Sequence, residues 1–218
     1  MVGIMDSTTN QTAGLRERKK LETKQALAFA AMQLAVERGL ENVRVEDITD
    51  QVNVSRRTFS NYFSSKEEAI ASLNTVRFTQ AVQALRGRPA GEPLADSLTE
   101  VFAARYEAAA GVDRERIEPI RMMMTSPALQ GEALKTLVRA ERPLARAIAE
   151  RTGADPQHDL QPRVLAAAVM AAVRTATEHW MTSDAPLPGL IRQAVWQVAA
   201  PAAGATPARQ SPITASHR

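Results

Sequence analysis

The 218-residue chain contains no cysteine, which excludes disulfides and thiolate catalysis. Aromatic residues make up only 4% of it, and no uninterrupted apolar run reaches the roughly 20 residues that a membrane span needs. The opening MVGIM is too short for a signal peptide and the DSTTNQTAG that follows is polar, so a cytoplasmic protein with a flexible arm over residues 1–15 is expected. Histidines are scarce as well. His158 falls in a loop, His179 on a helix and His217 in the tail, with no metal-ligand spacing or acid–base pairing among them. A phosphate-binding glycine loop and a serine nucleophile elbow are also missing. The expectation is therefore no enzyme, no cofactor, no metal and no membrane partner.

The net charge of +3 permits nucleic-acid binding without arguing for it, and placement matters more than the total. Arg16, Arg18, Lys19 and Lys20 cluster at the start of a first helix expected over residues 16–38. They suit either a solvated helix start or a basic arm that follows a phosphate backbone. Within this helix Leu27, Ala30, Ala31 and Leu34 form an inward face, and Gly39 stands at its C-terminal cap.

The stretch from Arg44 to Lys66 is the most informative. Val45, Ile48 and Val52 fall at i, i+3 and i+7 and predict a helix over 45–52 with Glu46, Asp47 and Asp50 facing water. Asn53 stands where a tight turn needs a residue that tolerates positive φ, and Val54 can plug the corner. Ser55 is placed to cap a second helix, RRTFSNYF over 56–63. Phe59 and Phe63 point inward from it, leaving Arg56, Arg57, Ser60 and Asn61 on the surface, and no acidic residue interrupts 55–66. Such a surface suits a major groove, where Arg reads guanine and Asn adenine. The alternative is an ordinary helical pair with solvated arginines.

From Thr23 through Ala69 the chain resembles the TetR family of bacterial transcriptional repressors. The resemblance rests on Glu37-Arg38-Gly39-Leu40, Val45-Glu46-Asp47-Ile48, Val54-Ser55-Arg56-Arg57-Thr58-Phe59, Tyr62-Phe63 and Ser65-Lys66-Glu67-Glu68. Thr49 replaces a common Ala and Asn53 the common turn Gly; neither disables the motif, since Thr can bond its hydroxyl to the backbone and Asn tolerates the left-handed conformation. The resemblance implies that Arg44, Thr58, Tyr62 and Lys66 hold phosphates, and it completes a DNA-binding set with Ser55, Arg56, Arg57, Ser60 and Asn61.

Beyond the head, a fourth helix starts at Lys66, and GRPAGEP over 87–93 ends it. Further helices are expected near 94–110, 114–125, 127–151, 162–183 and 188–199, and no useful period-two alternation suggests a strand. Pro119 and Pro143 fall inside helical patterns and should kink or break them. The expected fold is all-α: a helix-turn-helix head over 16–64, a larger helical ligand-binding and dimerisation domain over 65–200, and a disordered tail over 201–218 rich in Pro, Ala, Ser and Thr.

Candidate ligand-binding residues in the second half are Phe102, Arg105, Tyr106, Arg121, Met124, Leu137, Glu178 and Trp180. Core packing is the competing role for the apolar ones. An arginine that points inward without an acidic neighbour would anchor an anionic ligand, and Arg174 and Glu178, at i and i+4, can pair with each other. The small residues of LAAAVMAAV, 165–173, permit close helix approach, either within the monomer or in the dimer interface that the family builds from its last two helices. The second half also loosely resembles regulators that respond to acyl-CoA-like molecules.

The expected function is a homodimeric, ligand-responsive repressor that binds a palindromic double-stranded DNA operator and is released by a small hydrophobic or amphipathic effector. The alternative is a constitutive DNA-binding protein whose C-terminal domain only dimerises.

Overall fold

The computed structural model describes the backbone of residues 6–109 and 114–204, and the side chains of 16–107 and 117–200. All regular structure among these residues is helical. Nine α-helices follow in order: α1 Asp6–Arg38, α2 Val45–Val52, α3 Arg56–Ser60, α4 Lys66–Gly87, α5 Leu94–Ala103, α6 Arg114–Met124, α7 Pro127–Thr152, α8 Leu160–Trp180 and α9 Leu187–Gly204, with 3-10 turns at Leu40–Asn42 and Ala104–Ala109. No helix is long and apolar enough to cross a membrane among the described residues.

Helix starts and stops follow local chemistry. Gly39 ends α1 at φ 82°, its N–H donating to the Ala35 carbonyl at 3.0 Å. Ser65 Oγ accepts from the Glu68 N–H at 3.0 Å at the start of α4, while the Glu68 carboxylate accepts from the Ser64 N–H at 2.7 Å. That amide is the main reason the Glu68 carboxyl lies below its ordinary pKa.

Some boundaries differ from expectation. α1 begins at Asp6 rather than near residue 16, over polar residues with no apolar period to announce a helix. α9 continues through Pro201 to Gly204, and the remainder of the expected tail, with His217, lies outside the described residues, as do residues 1–5. Neither Pro119 nor Pro143 breaks its helix; each removes one backbone hydrogen bond while the rest of α6 and α7 persists.

The chain divides into two compact units, Met1–Thr79 with Gly111–Ala140, and Gln80–Ala110 with Glu141–Arg218. In the first, Leu27, Ala31, Leu34, Ile48, Phe59 and Phe63 form one buried cluster that also takes in Met123 and Leu129. The head expected over 16–64 thus shares its core with parts of α6 and α7. In the second unit α9 packs on both α5 and α8, around Leu98, Phe102, Val169, Met170 and Ile191.

Within the second unit the 88–93 loop is held from below by Arg151, whose side chain is 10% exposed. Its guanidinium donates to the Arg88, Pro89 and Glu92 carbonyls at 3.0, 2.6 and 3.1 Å, and to Ser97 Oγ at 2.9 Å. Arg88 and Ser97 in turn donate to the Glu92 carboxylate, and the Arg88 bond leads in holding its pKa at about 2.

Candidate nucleic-acid interface

Residues 44–66 fold as the sequence predicts at the turn. Asn53 adopts φ 55°, ψ 51°, the left-handed conformation, and the Val54 N–H behind it donates to the Thr49 carbonyl at 3.0 Å. Thr49 is buried and returns its hydroxyl to the Glu46 carbonyl at 2.9 Å. Ser55 Oγ caps α3 by accepting from the Thr58 N–H at 3.1 Å.

α3 covers Arg56–Ser60 and is shorter than the expected 56–63. Beyond Ser60 the turn tightens: the Tyr62 N–H reaches back three residues to the Phe59 carbonyl at 2.9 Å, and Phe63 shares that acceptor. The tightening still buries both rings, with Phe59 and Phe63 centroids 5.7 Å apart and Lys24 Nζ 5.5 Å from the Phe63 centroid. Buried on this side, the segment shows its other side to water.

That exposed side carries Ser55, Arg56, Arg57, Ser60 and Asn61, and Arg44 is exposed too, while Thr58 and Tyr62 are half-buried. The expected contact residues nevertheless differ in what they already hold. Arg57 has no ion pair or side-chain hydrogen bond among the described residues, so its guanidinium is uncommitted. Arg56 Nη1 lies 2.7 Å from Glu46 Oε1, a pairing that the ten-residue separation between them did not reveal. Both side chains of this pair are largely exposed, so it is weak and can be exchanged for a stronger anion.

Lys66, whose motif position implies a phosphate contact, is half-buried and holds backbone groups in this structure. Its Nζ donates to the Leu40 and Val43 carbonyls at 2.7 and 2.9 Å, tying the start of α4 to the segment before α2. The Leu40 carbonyl, which also accepts from the Val43 N–H at 3.3 Å, and the Val43 carbonyl just past the 3-10 turn together attract the ammonium inward. No sequence spacing could show this, because the bond spans 26 residues.

The eight candidate ligand residues do not gather in one unit. Arg121, Met124 and Leu137 belong to the first, and Phe102, Arg105, Tyr106, Glu178 and Trp180 to the second. Met124 packs against the head core. Phe102, Tyr106 and Trp180 are buried in the core of the second unit. Glu178 lies on the surface with Arg174 Nη1 2.7 Å from its carboxylate, which is the i, i+4 pairing the sequence allowed. Arg105 is half-buried, and its Nε is enclosed without an acceptor among the described residues.

The second unit also holds a groove of about 810 Å³ between α5 and α9 that sequence reading missed. Trp196 walls it, with Thr99 and Asp96 opposite and the Arg192–Glu100 ion pair, 3.2 Å, across one end. The Thr99 hydroxyl is buried without a partner among the described residues. Trp196 on α9 is 47% exposed, but single exposed apolar residues are common, so no sequence signal announced the groove.

Comparison with known proteins bears on both halves. Residues 29–73 match the model of the bacterial regulatory proteins of the tetR family, and residues 88–203 match that of the MftR C-terminal domain. The chain is 33% identical over 190 residues to the HTH-type transcriptional regulator TcmR of Streptomyces glaucescens, covering 84% of each chain. It is 22% identical over 167 residues to MftR of Mycobacterium tuberculosis, described as a mycofactocin biosynthesis transcriptional regulator, covering 77% of this chain and 84% of that one. Among solved structures, a transcriptional regulator from Aquifex aeolicus aligns at TM-score 0.45 and 17% identity over 81% of this chain and 97% of the other. RolR in complex with resorcinol aligns at TM-score 0.43 and 22% identity over 86% and 94%. With the helix-turn-helix geometry in place at one end and a helical C-terminal domain matched at the other, the chain belongs to the TetR family of transcriptional regulators.

Proposed function

We propose that the protein is a ligand-responsive repressor that binds a palindromic operator as a homodimer and leaves it when a small hydrophobic or amphipathic effector occupies the C-terminal domain. The observation that carries the reading is the uncommitted Arg57 beside Ser60 and Asn61 on a capped, outward-facing helix. Arg56, Arg57, Ser60 and Asn61 read bases, with Arg56 exchanging Glu46 for DNA, and each good bidentate pair discriminates by about 1–3 kcal/mol. Arg44, Thr58 and Tyr62 position the head on phosphates. Ser55 acts through its cap, and Lys66 through the carbonyls it holds.

Dimerisation is supported by an apolar line on α8, where Leu160 and Val164 are exposed and Ala171 follows on the same side. A dimer would set two α3 helices against successive major grooves about 34 Å apart, so that a ligand need only change their separation to weaken binding. Arg105, with its enclosed Nε, would hold an acidic group on the effector.

The rival reading is a constitutive DNA-binding protein whose C-terminal domain only dimerises, and the close packing of Phe102, Tyr106 and Trp180 speaks for it. The deciding experiment challenges the protein–operator complex with hydrophobic and anionic metabolites. Release by one compound, lost in Arg105→Met while DNA binding is kept, supports the repressor. Retention of DNA against every compound supports the rival.

A further inference from the structure

The end of α1, the 3-10 turn at Leu40–Asn42 and α6 enclose a half-open cavity of about 570 Å³ within the first unit, in the range of small-molecule sites. Its apolar lining includes Val36, Leu40, Pro119 and the buried Met123, with Met122 on the rim at 69% exposure, the most exposed large apolar side chain described. The polar lining divides into groups that are satisfied and groups that are not. The Asn42 amide donates to the Arg38 carbonyl at 2.7 Å, and the Thr125 hydroxyl to the Met122 carbonyl at 2.7 Å. Among the described residues, Glu41 and Glu118 have no ion pair or side-chain hydrogen bond and no lysine or arginine lines the cavity.

On a chain of net charge +3 the lining is thus acidic over an apolar floor. The C-terminal end of α1 adds the negative pole of its dipole. We propose that this cavity binds a small aromatic cation, an amine or onium compound whose rings lie on Met122 and Met123 and whose charge faces Glu41 and Glu118. Thioethers are polarizable, adaptable partners for aromatic rings, and two uncompensated carboxylates favour a cation and repel an anion. The site lies between α1 and α6 within the first unit, so one of its walls comes from the residues matched by the C-terminal domain model. Its occupation is read on the protein alone, so it stands or fails independently of operator binding.

The test is a titration of full-length protein carrying ¹³C-labelled methionine methyl groups, first with tetraphenylphosphonium and then with tetraphenylborate, an anion of the same shape. Met122→Leu assigns its signal. The proposal expects saturable shifts at Met122 and Met123 with the phosphonium and none with the borate. It also expects about tenfold weaker binding in the Glu41→Gln/Glu118→Gln variant, consistent with two partly screened charges. Both glutamates are exposed, and an unchanged signal from Met32, packed against the core of the first unit, confirms that the double variant is folded. Silence at both methyls, equal response to the borate, or undiminished binding by the double variant would overturn the proposal. Shifts that follow protein concentration and not the probe would overturn it in favour of self-association at this face.

Discussion

Arg56 and Arg57 are neighbours in the chain and opposites in their commitments, one paired to Glu46 at 2.7 Å and the other free to meet a base. Arg57→Ala is therefore expected to erase preference for operator over random DNA by about 1–3 kcal/mol, read as the ratio of the two affinities. An equal loss on both DNAs would remove Arg57 from the reading set. Glu46→Gln releases Arg56 and is expected to raise operator affinity severalfold at low salt, with a steeper salt dependence; an unchanged slope would mean that Arg56 never leaves Glu46 for DNA. Lys66→Ala removes the donor to the Val43 carbonyl and leaves the Leu40 carbonyl with only the longer bond from the Val43 N–H, 3.3 Å. Its expected effect is a loss of about 1–3 kcal/mol in stability, measured by denaturant unfolding, with the salt slope of DNA binding unchanged. A slope lower by about one charge with stability intact would return Lys66 to the phosphate set.

At the scale of elements, the boundaries legible in the sequence are those set by residues with a single strong conformational reason. Asn53 in the left-handed turn, Ser55 at the cap, Gly39 after α1 and Pro127 opening α7 each act over a few residues, and a local pattern suffices to find them. Asn53→Gly is accordingly expected to be tolerated, whereas Asn53→Val should destabilise by about 1–2 kcal/mol because a β-branched residue is strained at φ 55°. Thermal unfolding of the pair checks it, and equal melting temperatures would contradict the role given to the turn. Features set by contacts far apart in the chain stayed hidden. The inward turn of Lys66 depends on carbonyls 26 and 23 residues away, and Arg56 meets Glu46 only because the turn brings α2 and α3 side by side.

For the whole molecule, the candidate ligand residues chosen by helical pattern fall in both units, because periodicity says which side of a helix is apolar and nothing about which core that side joins. Met124 went to the core of the head, and Phe102 and Trp180 to that of the second unit. The second unit also carries an acid-sensitive clasp. The Glu92 carboxyl is held at about 2 against 4.5 for a free one, so its contribution to stability is present above pH 4.5 and fades as pH falls toward 2. Stability of the wild type is expected to decline over that window by more than that of Glu92→Gln, followed by urea unfolding at pH 6 and pH 3; parallel declines would assign the acid sensitivity to other groups. Above these details stands the claim that two copies of α3 read one palindrome. It is tested most directly by selecting bound sequences from a random DNA pool with the full-length protein. The account predicts an enriched palindrome whose half-sites lie about one helical turn apart. Enrichment of a single unrepeated half-site, or of nothing, would contradict it.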